Sequence, residues 1–432
     1  MNPIRMSAVM AVAAILVQAA APAQEDWTEF RGPTGQGIVE AKNLPIEWSA
    51  TKNVVWKQPI PGLGWSSPVV QKGKVFLTSA VANAAGSGSG TAGAGAGEGP
   101  SLHALCLDAA TGHELWNIEV FKPAETQAKP MNGKNSHASP TPVLDGDRLY
   151  VHFGHNGTAC LDLSGKVVWR MNSLNYPSTH GNGGSPILVD NLLVYNADAT
   201  TDPFIVALDK ETGKVVWKVK RETQAQKKFS FCTPLLITVN GQRQIISPGS
   251  GFVSALDPKD GHEIWRVRYG EGYSVVPRPV FGQGLVFIST GFNTANILAI
   301  RPDGQGDVTD THIAWRATKG APLTPSMLVA GEELYAVSDN GLASCFEAKT
   351  GKVLWQELVE GKYSASLLAA DGRLYLQNEK GSGTVLKLGQ TFATLATNIL
   401  AEKTLASYAV YDGALFIRTA ENLYRIANQP PK

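Results

Sequence analysis

The chain has 432 residues, 43% of them hydrophobic and 17% charged, which is an ordinary globular composition and excludes wholesale disorder. Its 38 lysines and arginines balance 37 aspartates and glutamates, so no electrostatic footprint for nucleic acid or for an anionic membrane surface is present. Partners must therefore be selected by shape and local chemistry.

The first element reads as a secretory signal over residues 1–23. Arg5 opens it, Met6 to Ala20 is apolar, and Ala21-Pro22-Ala23 offers a cleavage site before Gln24. The apolar stretch, roughly 15 residues, falls short of the ~20 that span a bilayer. No cysteine precedes Cys106, so no lipid-modified cysteine is expected at that cleavage site. No later segment has the length and apolarity of a membrane span. The expectation is a periplasmic or secreted protein, soluble after cleavage, and monomeric. Residues 24–52 follow as an N-terminal extension.

From residue 53 to 427 the chain repeats itself. An acidic residue, a Gly turn and a Trp four residues later recur in Asp108…Gly112…Trp116, Asp162…Gly165…Trp169, Asp209…Gly213…Trp217, Asp257…Gly261…Trp265 and Glu347…Gly351…Trp355, with a degenerate copy ending at Trp315. The steps between these tryptophans are 53, 48, 48, 50 and 40 residues, a period that signals a repeat architecture. Ahead of each phrase lie a short β-branched run, a tight turn and a second run. The turns fall at Gly73, Gly146, Asn191, Gly241, Gly284, Gly331, Gly372 and Gly413. Four strands per unit with no sustained helical period predict an all-β fold, an eight-bladed β-propeller of four-stranded antiparallel blades. A solenoid would use shorter repeats and capping ends.

The last unit runs out of chain before it can supply its own Trp strand, and Asn53-Val54-Val55-Trp56-Lys57 matches that strand with no unit before it. Val54–Lys57 is therefore predicted to complete the eighth blade and remove an open sheet edge. Trp56, Trp116, Trp169, Trp217, Trp265, Trp315 and Trp355 become framework, packing between a blade and its neighbour. Cys106, Cys160 and Cys345 occupy one repeat position that Ala207, Ala255 and Ala299 fill elsewhere, a small buried slot rather than a disulfide pattern. The Gly/Ala-rich stretch at residues 82–99 has the composition of a flexible loop inside the first blade.

Blades reading Ala207-Leu-Asp209-Lys-Glu-Thr-Gly213-Lys-Val-Val-Trp217 resemble the pyrroloquinoline quinone (PQQ)-like repeat, shared by quinoprotein dehydrogenases and the BamB assembly protein. Trp27-Thr-Glu-Phe-Arg-Gly-Pro-Thr-Gly-Gln-Gly37 and Trp65-Ser-Ser-Pro68 are similar to exported bacterial members of that family. The resemblance covers about residues 27–427 and implies the propeller fold. It does not carry over the catalytic apparatus. The dehydrogenases typically bear adjacent cysteines beside the quinone, and no two cysteines here are neighbours. BamB-like proteins are usually lipid-anchored, and the anchoring cysteine is missing.

Short turns fall on one face of such a ring and long, varied connections on the other, so binding residues are expected on the loop-rich face. Trp65, His137, His180, Phe231, Tyr273 and Tyr363 precede the innermost strands and should ring the channel mouth, with Asn135, Asn182, Glu271, Arg278 and Glu379 nearby. The alternative is that they plug the channel and satisfy backbone groups. His137 and His180 could share a metal with a carboxylate, but no local ligand spacing supports a metal site. The leading reading is a non-catalytic binding or scaffold protein, with an envelope protein or an extended ligand as partner and no cofactor. The rival reading is an enzyme, either a quinone-dependent dehydrogenase using PQQ with Ca²⁺ or one acting on sugars. In it His137, His180, Glu271 and Glu379 would stand around the channel.

Overall fold

The computed structural model describes residues 26–82, 99–122, 131–174, 176, 179–293 and 295–429. The signal segment and nearly all of the Gly/Ala-rich stretch lie outside the described residues. Eight sheets are present, each built on four antiparallel strands; in blades 1 to 7 these run in chain order from the innermost outward, and two of those sheets carry a short fifth strand in parallel. Blade 1 comprises Val69–Gln71, Lys74–Val81, Ser101–Asp108 and Glu114–Phe121. The innermost strands of blades 2 to 8 are Val143–Asp145, Ile187–Val189, Leu235–Val239, Val280–Gly282, Leu328–Ala330, Leu368–Ala370 and Ala409–Tyr411. Among the described residues the only helical element is a three-residue 3-10 turn, Gly154–Asn156. No helix among them is long and apolar enough to cross a membrane.

The ring closes as the sequence predicts. Val54–Pro59 pairs antiparallel with the third strand of blade 8, Asn422–Ala427, in the register Lys57 with Tyr424. Central strands, buried on both faces between blades, are near-continuous apolar runs such as Phe204–Asp209. Outer strands alternate, as in Val167–Met171.

The Trp phrase and the Gly phrase turn out to be two halves of one joint. Each indole N–H donates to a backbone carbonyl in the Gly turn of the following blade. Trp56 reaches Ala109, Trp116 Leu163, Trp169 Lys210, Trp217 Pro258, Trp315 Ala348 and Trp355 Gly389, at 2.9–3.1 Å. In five of these joints, all but that of Trp355, the turn glycine lies against the same indole. A Cβ on Gly213, whose φ is +71°, would sit 2.5 Å from the Trp169 ring. Only glycine meets both the left-handed backbone and the close approach. Asp209 shapes this turn by accepting from the Thr212 N–H at 2.9 Å and its hydroxyl at 2.7 Å. Trp265 departs from the pattern because blade 5 lacks the Gly phrase. Its N–H donates to Gln244 in its own blade, and residues Gly306–Asp307 add a short parallel strand beside it. All four cysteines are free and buried.

The N-terminal extension enters the central channel from the short-turn side. Trp27 pairs with Val70 of blade 1, and the Thr28 carbonyl accepts from Leu144 of blade 2. The chain turns back through Gly32, Gly35 and Gly37, and Ile38–Val39 then pairs in parallel with Leu368–Ala370 of blade 7. Arg31, Arg278 and Gln36 tie this hairpin to blades 4 to 7. Residues 27–39 thus stopper one end of the channel. Trp48 then packs on Tyr375 and Tyr408, carrying the chain outward to the closing strand.

Candidate functional site

With one end stoppered, the channel becomes a cup of about 360 Å³ open on the loop-rich face. Its floor is set by a repeat position that comes just before each innermost strand. Seven blades place Ser or Thr there: Ser67, Thr141, Ser185, Thr233, Ser326, Ser366 and Ser407. Each hydroxyl oxygen accepts a backbone N–H from the preceding blade. Ser67 donates to Thr141, Thr141 to Ser185, Ser185 to Thr233, Arg278 to Ser326, Ser326 to Ser366, Ser366 to Ser407, and Ser407 back to Ser67, at 2.9–3.1 Å. This belt laces the blades together around the axis, and all seven residues line the cup.

Blade 5 is the exception, with Arg278 in the hydroxyl's place. Its side chain lies buried beneath the floor. There it donates to the Pro234 and Phe30 carbonyls at 3.0 and 2.6 Å and pairs with Glu29 at 3.2 Å. Burial pushes the Glu29 carboxyl above the ordinary carboxylate range, and the Arg278 charge only partly offsets it. Arg31 is buried beside this pair and donates to the Met327 carbonyl at 2.6 Å. Burial, with Arg278 close by, pulls the Arg31 guanidinium down to about 9.

Of the residues singled out in the sequence, Trp65, Asn135, His180 and Phe231 line the cup. Asn135 donates to the His180 carbonyl at 2.8 Å, and Lys403 lies 5.6 Å from the centre of the Trp65 ring. The other candidates stand elsewhere. Tyr273 belongs to the rim, stacked in a tilted pair with Phe292 and bonded to Lys227. Glu271 is exposed and accepts from the Gln226 N–H. Tyr363 is fully buried, its hydroxyl donating to the Glu360 carbonyl. Asn182 contacts the buried His152 between blades 2 and 3. His137 is half-buried and absent from the cup, and burial lowers its imidazole's basicity. Glu379 forms an ion pair with Lys134 at 2.7 Å and accepts from Ser364 at 2.7 Å. Burial works against its ionised form, but these two partners outweigh it and hold the carboxyl below its usual range.

Lys134 and Asp339, missed in the sequence, complete that charged wall. Asp339 accepts from the Leu323 and Thr324 N–H groups and the Thr324 hydroxyl, with Lys134 at 4.0 Å. Phe30 from the stopper and the exposed Phe292 add aromatic surface. Among the described residues no cluster of three or more His, Cys, Asp or Glu could hold a metal ion.

A second buried charge lies between blades 3 and 4. Arg221 faces Asp198 at 3.2 Å and bonds Asn196 and Ser247. Burial pushes the Asp198 carboxyl up to about 7, against the pull of Arg221. A folded-state pKa above the unfolded value means that this group's contribution to stability falls as pH rises from about 4 to about 7. Without Arg221 the ionised carboxylate is buried alone. Arg221→Met is expected to cost about 3–5 kcal/mol at alkaline pH and distinctly less near pH 5, read from urea unfolding at both. An equal loss at both would contradict the assignment.

A family model described as outer membrane protein assembly factor BamB matches residues 103–311 and 304–391. No curated protein sequence matches the chain. Among solved structures, BamB from Moraxella catarrhalis superposes with a TM-score of 0.58 at 13% identity, covering 88% of this chain and 99% of that one. A quinohemoprotein alcohol dehydrogenase from Pseudomonas putida HK5 gives 0.64 at 11% identity, covering 94% and 81%. The computationally designed protein Ika8 gives 0.56 at 12% identity, covering 85% and 100%. At these identities the likeness is one of fold.

Proposed function

Because the chain belongs to the PQQ-like β-propeller family that the BamB model describes, we propose that it is an exported, non-catalytic binding protein. Its loop-rich face takes a partner or extended ligand at the cup. The observation that carries this reading is the stopper. A channel closed at one end and open at the other, with aromatic walls, is a concave receptor rather than a passage. Phe292, 43% exposed beside Tyr273, presents apolar surface on the rim where an incoming partner would cover it.

The charged groups of the cup support binding over catalysis. Lys134 pairs with Glu379, which does not itself line the cup, and lies 4.0 Å from Asp339, and the remaining hydrogen-bonding capacity of the two carboxylates is largely taken by Ser364, Leu323 and Thr324. A Ca²⁺ ion serving a quinone would have to displace Lys134 from both carboxylates, and none of the four cysteines lines the cup. These residues do not fit PQQ with Ca²⁺.

Two measurements test the proposal. Purified protein mixed with PQQ and Ca²⁺ should develop no bound chromophore and reduce no dye; a chromophore with dye reduction would establish the enzyme. Envelope proteins captured by the wild-type chain should be lost when Tyr273→Ala and Phe292→Ser are combined. Capture that survives this change would move the binding surface elsewhere. Mature protein from the envelope should begin at Gln24.

A further inference from the structure

Resting on the reading of the cup as a binding site, we propose that its floor is an oxyanion site, taking a ligand end that bears carboxylate or phosphate oxygens. The belt hydroxyls carry the argument. Each oxygen is committed as an acceptor to a neighbour's N–H, which leaves its own proton to donate. None of the seven finds an acceptor for that proton among the described residues. All are between 2% and 7% exposed, so bulk water does not serve them freely. Seven buried hydroxyls, each with its proton uncommitted, therefore line one cavity, and an acceptor-only group is the ligand that would use all of those donors.

The charge beneath the floor has the same sign of preference. Arg278 and Arg31 are buried there against the single carboxylate of Glu29, and the Nε and Nη1 groups of Arg31 have no hydrogen-bond partner. One guanidinium is left without a counter-charge, in a setting where screening by solvent is weak. A cationic ligand end would meet the excess positive charge beneath the floor, and a neutral donor would find only the one lone pair left on each hydroxyl. A neutral acceptor would gain the hydrogen bonds but not the field. Above the floor, Trp65, Phe231 and Phe292 offer aromatic faces to the rest of the molecule. The ligand is thus an anionic head on a flat or apolar body.

Titration calorimetry on the mature chain with four probes tests this: phenylphosphate, benzoate, benzamide and benzylamine. Both anions should bind about tenfold or more tightly than benzamide, weaken as salt is added, and leave benzylamine without measurable affinity. The tighter of the two anions tells a phosphate head from a carboxylate head. Benzamide binding as well as either anion, or benzylamine binding best, would overturn the proposal. Ser366→Ala with Ser407→Ala should weaken the better anion by about tenfold. That pair also loses two belt links, so Arg31→Met provides a second arm, since it strands no buried carboxylate and leaves the belt hydroxyls in place. It should weaken the anions several-fold and leave benzamide unchanged; equal loss for both classes would contradict the charge argument. If the probes fail while the Tyr273→Ala/Phe292→Ser protein still loses its partner, only the oxyanion assignment falls. If the probes bind and capture survives that change, the rim reading falls instead.

Discussion

Replacing Trp217 with alanine is expected to lower the unfolding free energy by about 3–5 kcal/mol while leaving affinity at the cup unchanged. Trp217 is only 8% exposed, its N–H donates to the Pro258 carbonyl at 3.1 Å, and its ring lies against Gly261 of the next blade. Truncation removes that surface from contact and leaves a void at a seam between rigid sheets, which collapse poorly into it. The carbonyl of Pro258 also loses its donor. All of this happens on the outer circumference, far along the blade from the belt. Urea unfolding followed by circular dichroism measures the first half, and probe titration the second. A loss below about 1 kcal/mol would mean that the joint between Trp and Gly turn does not hold the blades together.

Replacing Arg278 with leucine is expected to be as costly, about 3–5 kcal/mol, for a different reason. The change strands Glu29 beneath the floor and removes the donors to the Phe30 and Pro234 carbonyls. Glu29 already has a raised folded-state pKa because burial disfavours its charge. Its ionised form costs more once Arg278 is gone, so the deficit should widen as pH rises through the range where Glu29 ionises and narrow on acidification. Adding Glu29→Gln should recover part of the loss at alkaline pH and little at acid pH. A deficit that does not change with pH, or that Glu29→Gln deepens, would show that the pair does not anchor the stopper. Arg31→Met should cost less than Arg278→Leu, because no carboxylate depends on Arg31 and only the Met327 and Leu367 carbonyls lose a donor.

The framework was legible because it is periodic. A Gly turn and a Trp, repeated at blade spacing, have one physical explanation once strands are assigned, and the strand without a blade near residue 54 completes the ring. The cross-blade joint was half visible: the two phrases could be seen to recur together, but not that five of the tryptophans rest on the next unit's glycine. The stopper left no such trace. Its contacts join Arg31 to Met327 and Arg278 to Phe30, pairs nearly 250 or more residues apart, and none repeats. The belt was present in the sequence as a recurring Ser or Thr, often followed by Pro, at 67, 141, 185 and 233. Arg278 was the deviation that marked a special blade. The sequence singles out Arg278 itself and the aromatic residues beside the belt, but not the belt hydroxyls.

The candidate residues divide for a geometric reason. A side chain just before an innermost strand can face the axis or the adjacent blade, and one residue of offset decides which. Trp65, Asn135, His180 and Phe231 face the cup; Tyr363 faces the packed interior, and Asn182 reaches a buried histidine. Sequence spacing alone does not carry that distinction where loops of different length lead into the strands.

The claim that function resides in the stoppered cup is tested most directly by a crystal structure of the mature protein grown with phenylphosphate. The phosphate oxygens should lie within hydrogen-bond distance of belt hydroxyls such as Ser366 and Ser407, with the phenyl ring between Trp65 and Phe231. Phenylphosphate bound only to lysines on the outer surface, with the belt hydroxyls holding no oxygen of the ligand, would contradict it.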